Sequence, residues 1–198
     1  TMGYSIKGTT ALVTGANRGI GEAVVDALVA AGAAKVYAGA RSVADLAPLT
    51  ARHGGRVVAL QIDVTNPAQI EAAVSAAADV KLLVNNAGFA GHAGGSFTDP
   101  KWITAGRQEM DVNYFGTFAL TQAFAPVLAK NGGGAITNIA SVASLVNFAL
   151  LASYSASKAA VHSLTQATRI DAKRPRDSGV WRLSGPHRYA HGRGDSFR

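Results

Sequence analysis

The sequence contains no cysteine. It can therefore form neither a disulfide framework nor a thiolate metal site, a composition that fits a reducing compartment. It also lacks any run approaching the ~18 consecutive apolar residues that span a bilayer, so no membrane partner is expected. No positively charged segment leads into an apolar stretch and a cleavage site near the amino terminus, so secretion is not expected and the cytoplasm is the expected location. Charged residues are sparse, 16% of the chain, and their distribution decides what the net charge of +7 means. From Thr1 to Ala172 there are 12 Lys+Arg against 10 Asp+Glu, whereas the 26 residues from Lys173 to Arg198 hold 7 against 2. A diffuse basic tail is not a basic recognition face, so the charge gives no reason to expect a nucleic-acid partner.

What is present is enough apolar sequence, 48% of 198 residues, to bury one full core. Thr10 to Thr14 is a short apolar run that stops at Gly15, and from Ile20 the positions Ile20, Val24 and Leu28 recur at helical spacing until Gly32. The alternation continues with a strand over Lys35–Gly39, a helix over Val43–His53, a strand over Arg56–Ile62 and a helix over Pro67–Asp79. A strand over Leu82–Asn85 follows, then one long helix from about Trp102 to Lys130, a strand over Ala135–Ala140 and a helix over Ser153–Ala172. Strands and helices alternating at these lengths require parallel pairing with helices on both faces, the doubly wound α/β (Rossmann-type) architecture in a single domain. That domain is expected over 1–172. The residues 173–198 read as an atypical basic tail with little capacity to order, holding one strand at most, Gly179–Ser184, so the sheet is expected to be incomplete at its carboxy-terminal edge.

Three stretches carry chemistry. Thr14-Gly15-Ala16-Asn17-Arg18-Gly19-Ile20-Gly21 joins the first strand to the first helix, where glycines permit a tight turn and close approach, and a helix amino terminus offers N–H groups to a pyrophosphate. The second strand ends Ala38-Gly39-Ala40-Arg41, without a carboxylate to hold a free ribose 2′-hydroxyl; Arg41 and Arg18 suit a 2′-phosphate instead, which favours NADP(H) over NAD(H). Asp63-Val64 and Asn85-Asn86-Ala87-Gly88 end the third and fourth strands at the edge where open α/β sheets bind ligands, although Asp63 would serve equally as a helix N-cap and the Asn-Gly pair as an ordinary turn. Tyr154 and Lys158, four apart in Tyr154-Ser155-Ala156-Ser157-Lys158, share a helix face, setting an ammonium beside a phenol. A neighbouring cation favours the phenolate, so the phenol can exchange a proton nearer neutrality, which is half of a carbonyl reduction. His187 and His191 are also four apart, but with no third ligand and with Pro186 and Gly192 around them they make no metal site, and none is expected elsewhere.

Together, TGANRGIG, Asp63-Val64, NNAG, Asn113 in the long helix, Ser141 after the fifth strand and YSASK resemble the short-chain dehydrogenase/reductase family over about Lys7 to Ala172. The resemblance implies that Tyr154 is the general acid/base and that Lys158 lowers its pKa and bonds the nicotinamide ribose. It implies further that Ser141 holds the substrate oxygen and that Asn113 anchors a water continuing a proton relay. Asp63 and Val64 would contact the adenine, and Asn86, Ala87 and Gly88 would back its ribose. Gly15, Asn17, Arg18, Gly19, Ile20 and Gly21 would hold the dinucleotide, and the substrate would be a small or medium carbonyl or secondary alcohol. Val142, Leu145, Phe148, Leu150, Leu151 and Phe89 suggest an apolar lining for it. A homodimer or homotetramer, packed through the long helix and the Tyr/Lys helix, is also implied. The family usually continues past the Tyr/Lys helix with a sixth strand and a Pro-Gly turn that are not recognisable here. The shift to Arg-rich sequence after Lys173 resembles translation in another reading frame. The alternative expectation is therefore a catalytically impaired nucleotide-binding or oligomer-forming module.

Overall fold

A computed structural model describes residues 4–171. The suggested strand at Gly179–Ser184, the pair His187 and His191, and the basic tail 173–198 lie outside the described residues. Five parallel strands, β1 (Thr10–Thr14), β2 (Lys35–Ala40), β3 (Val57–Gln61), β4 (Leu82–Asn85) and β5 (Ala135–Asn138), form one sheet in the order β3-β2-β1-β4-β5. The chain winds outward to one side through β2 and β3, then returns past β1 to wind outward through β4 and β5. The reversal between β1 and β4 leaves a crevice at the carboxyl ends of the strands, where such sheets bind ligands. This is the expected doubly wound Rossmann-type sheet, with β5 at one edge among the described residues.

The period-2 pattern of each strand divides the core between two faces. Ala11, Val13, Val36, Ala38 and Val84 face α1 (Gly19–Ala30) and α2 (Ala47–His53), meeting Val25, Leu28, Val29 and Leu49. Leu12, Tyr37, Leu83 and Ile136 face α3 (Pro67–Ala76) and α5 (Thr117–Lys130), meeting Ile70, Leu120, Phe124 and Leu128. Full burial of each large aliphatic or Phe side chain contributes about 1.5–3 kcal/mol, so the two cores hold the crevice rigid.

Three local departures from the sequence pattern matter. The helix expected over Val43–His53 is a 3₁₀ turn, Ala44–Leu46, followed by α2, because Pro48 fits only the first turn of an α-helix. The cap of α3 is Asn66, whose side chain accepts the Gln69 N–H at 3.2 Å, and not Asp63. The single helix expected over 102–130 is α4 (Lys101–Glu109), a π-helical stretch over Met110–Gly116, and α5. Within the π stretch Gly116 lets the helix approach the segment that follows β3: a Cβ there would lie 2.6 Å from Val64 Cγ2. Pro126 is tolerated within α5 because it sits on the exposed face, where water can serve the carbonyl it leaves free.

Candidate functional site

A cleft of about 700 Å³ runs along the carboxyl ends of β1, β2, β4 and β5. Its glycine-loop end is held by main-chain geometry. Gly15 and Gly19 have φ of 63° and 57°, a region that side chains disfavour, and a Cβ on Gly21 would lie 2.1 Å from the Gly15 carbonyl oxygen. Arg18 precedes α1 in extended conformation, and no side chain caps the helix, so the first-turn N–H groups face the cleft without a capping partner. The Asn-Asn-Ala-Gly turn is tied to this loop. Thr14 Oγ1 accepts the Asn86 and Ala87 N–H groups, each at 3.1 Å, and Asn86 Nδ2 donates to the Thr14 and Gly15 carbonyls at 2.9 and 3.1 Å.

Gly15, Asn17, Arg18, Gly19, Ile20, Gly21, Arg41, Asp63, Val64, Asn86, Ala87 and Gly88 all line this one cleft. Arg18 and Arg41 are both exposed there. Burial would raise the pKa of Asp63, but the Thr65 hydroxyl and N–H on its Oδ1, with the nearby Arg41 charge, outweigh it and hold the carboxyl below its usual value.

The other end belongs to Ser141, Tyr154 and Lys158, which line the same cleft. Ser141 follows β5 and opens a 3₁₀ turn, Val142–Ser144, its Oγ accepting the Ala143 N–H at 3.2 Å. Tyr154 and Lys158 stand one turn apart on α6 (Ala152–Asp171). Lys158 is 6% exposed; its Nζ donates to the Ile139 carbonyl at 3.0 Å and lies 5.8 Å from the centre of the Tyr154 ring. Burial pushes the Lys158 ammonium below its ordinary pKa, easing release of its proton.

Asn113 stands behind the cleft rather than in it. With no solvent exposure, it accepts the Phe89 N–H on Oδ1 at 2.7 Å and donates from Nδ2 to the Phe89 carbonyl at 2.9 Å and to Ser157 Oγ at 2.8 Å. Gly88 separates it from the lysine: a Cβ on Gly88 would lie 3.5 Å from both Asn113 Oδ1 and Lys158 Nζ. The side chain of Asn113 is thus fully committed to protein partners.

Several residues of the site went unmarked in the sequence: Thr14 as the double acceptor, Ser157, Glu109, and Asn138. Asn138 accepts from Asn85 Nδ2 at 2.8 Å across the β4–β5 register and donates to Thr165 of α6 at 2.8 Å. Their only sequence signal is polarity inside apolar elements. Of the residues expected to form an apolar substrate lining, Phe89 lines the cleft, whereas Val142, Leu145, Phe148 and Leu150 are exposed outside its lining and Leu151 is half-buried. Among the described residues no cluster of His, Cys, Asp or Glu could hold a metal, and no helix is long and apolar enough to cross a membrane.

A doubly wound parallel sheet with a glycine loop and a Tyr/Lys helix on one cleft defines a Rossmann-type α/β protein. The short chain dehydrogenase family model matches residues 9–176, and the chain belongs to the short-chain dehydrogenase/reductase family. A short chain dehydrogenase from Burkholderia cenocepacia, solved in complex with NADP, superposes with a TM-score of 0.79 at 42% identity, covering 90% of this chain and 71% of that one. A short chain dehydrogenase/reductase from Burkholderia phymatum in complex with NAD superposes with a TM-score of 0.80 at 29% identity, covering 92% and 66%. The 7alpha-hydroxysteroid dehydrogenase of Escherichia coli is 33% identical over 178 residues, 84% of this chain and 66% of that enzyme. The chain thus spans about two thirds of the length of these relatives.

Proposed function

We propose that the chain is an NADP(H)-dependent oxidoreductase acting on a small or medium carbonyl or secondary alcohol, with Tyr154 as general acid/base. The observation that carries this reading is the convergence of Ser141, Tyr154 and Lys158 with the glycine loop on one cleft. The chain's own residues fit the dinucleotide. Gly21 and Gly15 let the loop pack tightly on itself and on the Asn86-Ala87 turn, where no Cβ fits, and the uncapped amino terminus of α1 is a ready anion site. Gly15, Asn17, Gly19, Ile20 and Gly21 would hold the pyrophosphate side, Asp63 and Val64 the adenine, and Asn86, Ala87 and Gly88 its ribose. Arg18 and Arg41, exposed at that end, would accept a 2′-phosphate, and the absence of a carboxylate at the end of β2 supports NADP(H) over NAD(H). When bound, the nicotinamide supplies the hydride chemistry.

Ser141 orients the substrate oxygen, and Tyr154 gives or takes its proton. Lys158, already inclined to release a proton by its burial, stands next in line. Because the Asn113 side chain is bonded throughout to Phe89 and Ser157, a relay water would have to use its main-chain carbonyl, inside the π turn. Phe89 on the cleft, with the exposed Val142, Leu145, Phe148 and Leu150 that follow Ser141, supports a hydrophobic substrate. Exposed Ile103 and Phe115 on the long helix support pairing of two copies through that helix, and the cysteine-free composition supports a cytoplasmic location.

The test is fluorescence titration with NADPH and NADH, followed by a carbonyl panel with the wild-type chain and Tyr154→Phe. NADPH should bind more tightly than NADH, and Tyr154→Phe should lower turnover about 10²–10⁴-fold while leaving NADPH affinity within a factor of two or three. Unchanged turnover in Tyr154→Phe refutes the role of the phenol. NADPH binding without turnover by the wild type across the panel would assign the chain instead to a non-catalytic nucleotide-binding module.

A further inference from the structure

A buried polar seam joins α4 to α6 behind the cleft. Ala105, Glu109 and Asn113 follow one another at four-residue spacing, so they share a helix face, and Glu109, like Asn113, has no solvent exposure. Asn113 holds both main-chain polar groups of Phe89, and Glu109 Oε1 accepts the Gly91 N–H at 2.8 Å. The two side chains thereby grip alternate residues of the segment that leaves Gly88 along the cleft. From the other side, α6 presents Ser157 to Asn113 and Ser153, one turn earlier, to Gly106. A Cβ on Gly106 would lie 3.1 Å from Ser153 Cβ, so the helices touch at that level.

A helical glutamate leans toward the amino terminus of its own helix, which carries the Glu109 carboxyl back to the level of Ala105 and Gly106. Gly91, its partner, is at that same level, since a Cβ there would lie 3.2 Å from Ala105 Cβ. Glu109 Oε2 and Ser153 Oγ are both buried, and neither has a hydrogen-bond partner among the described residues. Buried polar atoms are paired in folded proteins. A carboxyl oxygen and a hydroxyl left over at one level of one helix interface are complementary ends of a bridge through one water.

We propose that Glu109 is a positioning residue for the Tyr154 centre. One carboxyl oxygen fixes Gly91, and the other, through a single water, fixes the hydroxyl of Ser153, the residue preceding Tyr154. The seam thus sets the spacing between the Phe89–Gly91 wall of the cleft and the first turn of α6. This rests on the proton-transfer reading of Tyr154, but the seam itself can be read without turnover.

The experiment compares Glu109→Ala, Glu109→Gln, Ser153→Ala and the Glu109/Ser153 double alanine variant by amide exchange at Gly91, thermal midpoint, NADPH affinity and carbonyl turnover. Glu109→Ala should lose protection of the Gly91 amide. Its kcat should fall about tenfold to a hundredfold, as expected for a misplaced reacting group, with NADPH affinity unchanged. Glu109→Gln, whose amide can accept from Gly91 and donate to the bridging water, should recover most of both. The midpoint losses of the two alanine variants should be less than additive in the double variant. Unchanged Gly91 exchange in Glu109→Ala, additive midpoints, or an unchanged kcat in an active enzyme each overturn the proposal. If Glu109→Ala does not fold, Ser153→Ala alone decides: wild-type kcat and midpoint overturn it, and a lowered kcat at constant NADPH affinity supports it. If the parent chain reduces no carbonyl, the proton-transfer reading falls by itself, and amide exchange and non-additivity still judge the seam.

Discussion

At its Arg18–Arg41 end the cleft is shaped by a glycine loop tied to the turn after β4, and at its Tyr154–Lys158 end by polar side chains largely taken out of water. Around the glycine loop the hydrogen bonds tie the end of β1 to the turn after β4: Thr14 Oγ1 serves two amides and Asn86 serves two carbonyls. The same bonds that shape the loop hold β1 to β4, so folding and nucleotide geometry are one requirement there. At the other end Lys158, Asn113 and Glu109 are nearly or wholly excluded from solvent, and Asn85 Oδ1, Glu109 Oε2 and Ser153 Oγ lack partners among the described residues. Such groups weaken the fold unless satisfied. The first end should therefore lose structure and binding together when altered, whereas at the second the buried charge of Lys158 should exchange activity for stability.

The sharpest break of that contrast is Gly21→Ala. The added Cβ meets the Gly15 carbonyl, a backbone atom that cannot rotate aside, so a loss of about 3 kcal/mol or more and undetectable NADPH binding are expected from denaturant melts and titration. Normal NADPH affinity in a folded Gly21→Ala protein would break the comparison.

Next is Lys158→Met, which should lower kcat about a hundredfold or more yet hold the thermal midpoint or raise it by about 2–4 °C, the equivalent of about 1 kcal/mol. The sign follows from burial. The folded pKa of Lys158 lies below its unfolded value of ~10.4, so the unfolded chain binds the proton more tightly. The penalty is complete below the folded pKa and is relieved as pH rises from there toward ~10.4, so stability climbs with pH across that window. Lys158→Met should flatten the climb, and a steep loss of midpoint in this variant would contradict the reading.

Smallest is Arg41→Ser. On the proposed NADP(H) reading it should weaken NADPH about tenfold, about 1.4 kcal/mol, with a much smaller effect on NADH, because the proposed charge-assisted contact to the 2′-phosphate is lost. Equal weakening of both nucleotides would show that Arg41 shapes the loop instead.

The parallel α/β alternation and the glycine loop were legible because their constraints are local. A strand, a glycine turn and a helix must adjoin in sequence, and TGANRGIG names the positions that can tolerate no side chain. Tyr154 and Lys158 were legible because one helical turn separates them. The polar seam was not. Glu109 meets Gly91 and a level of α6 more than forty residues away, and Asn138 meets Asn85 and Thr165, so only tertiary packing reveals why a polar residue interrupts an apolar element. The π turn was equally hidden, since MDVNYFG has no residue that forbids an ordinary α-helix. Asp63 and Asn66 were interchangeable as caps by residue type, and the three-residue reach to Gln69 decided for Asn66.

That π turn has a consequence for the order of the chain. From Lys101 to Lys130 the backbone is one rod of about 45 Å, yet its buried rows point to different layers. Trp102, Ala105 and Glu109 turn toward the 89–100 segment and α6, whereas Leu120, Phe124 and Leu128 turn toward the sheet. The wide turn is a change of helical phase, and Asn113 and Gly116 sit on the boundary, one reaching Phe89 and Ser157, the other abutting Val64. Since each residue advances a helix by about 100°, losing a single residue from Met110–Gly116 would rotate the upstream half by that angle against the downstream half. The stretch is therefore counted to the residue: its length, as much as its composition, keeps the wall of the cleft in step with the sheet.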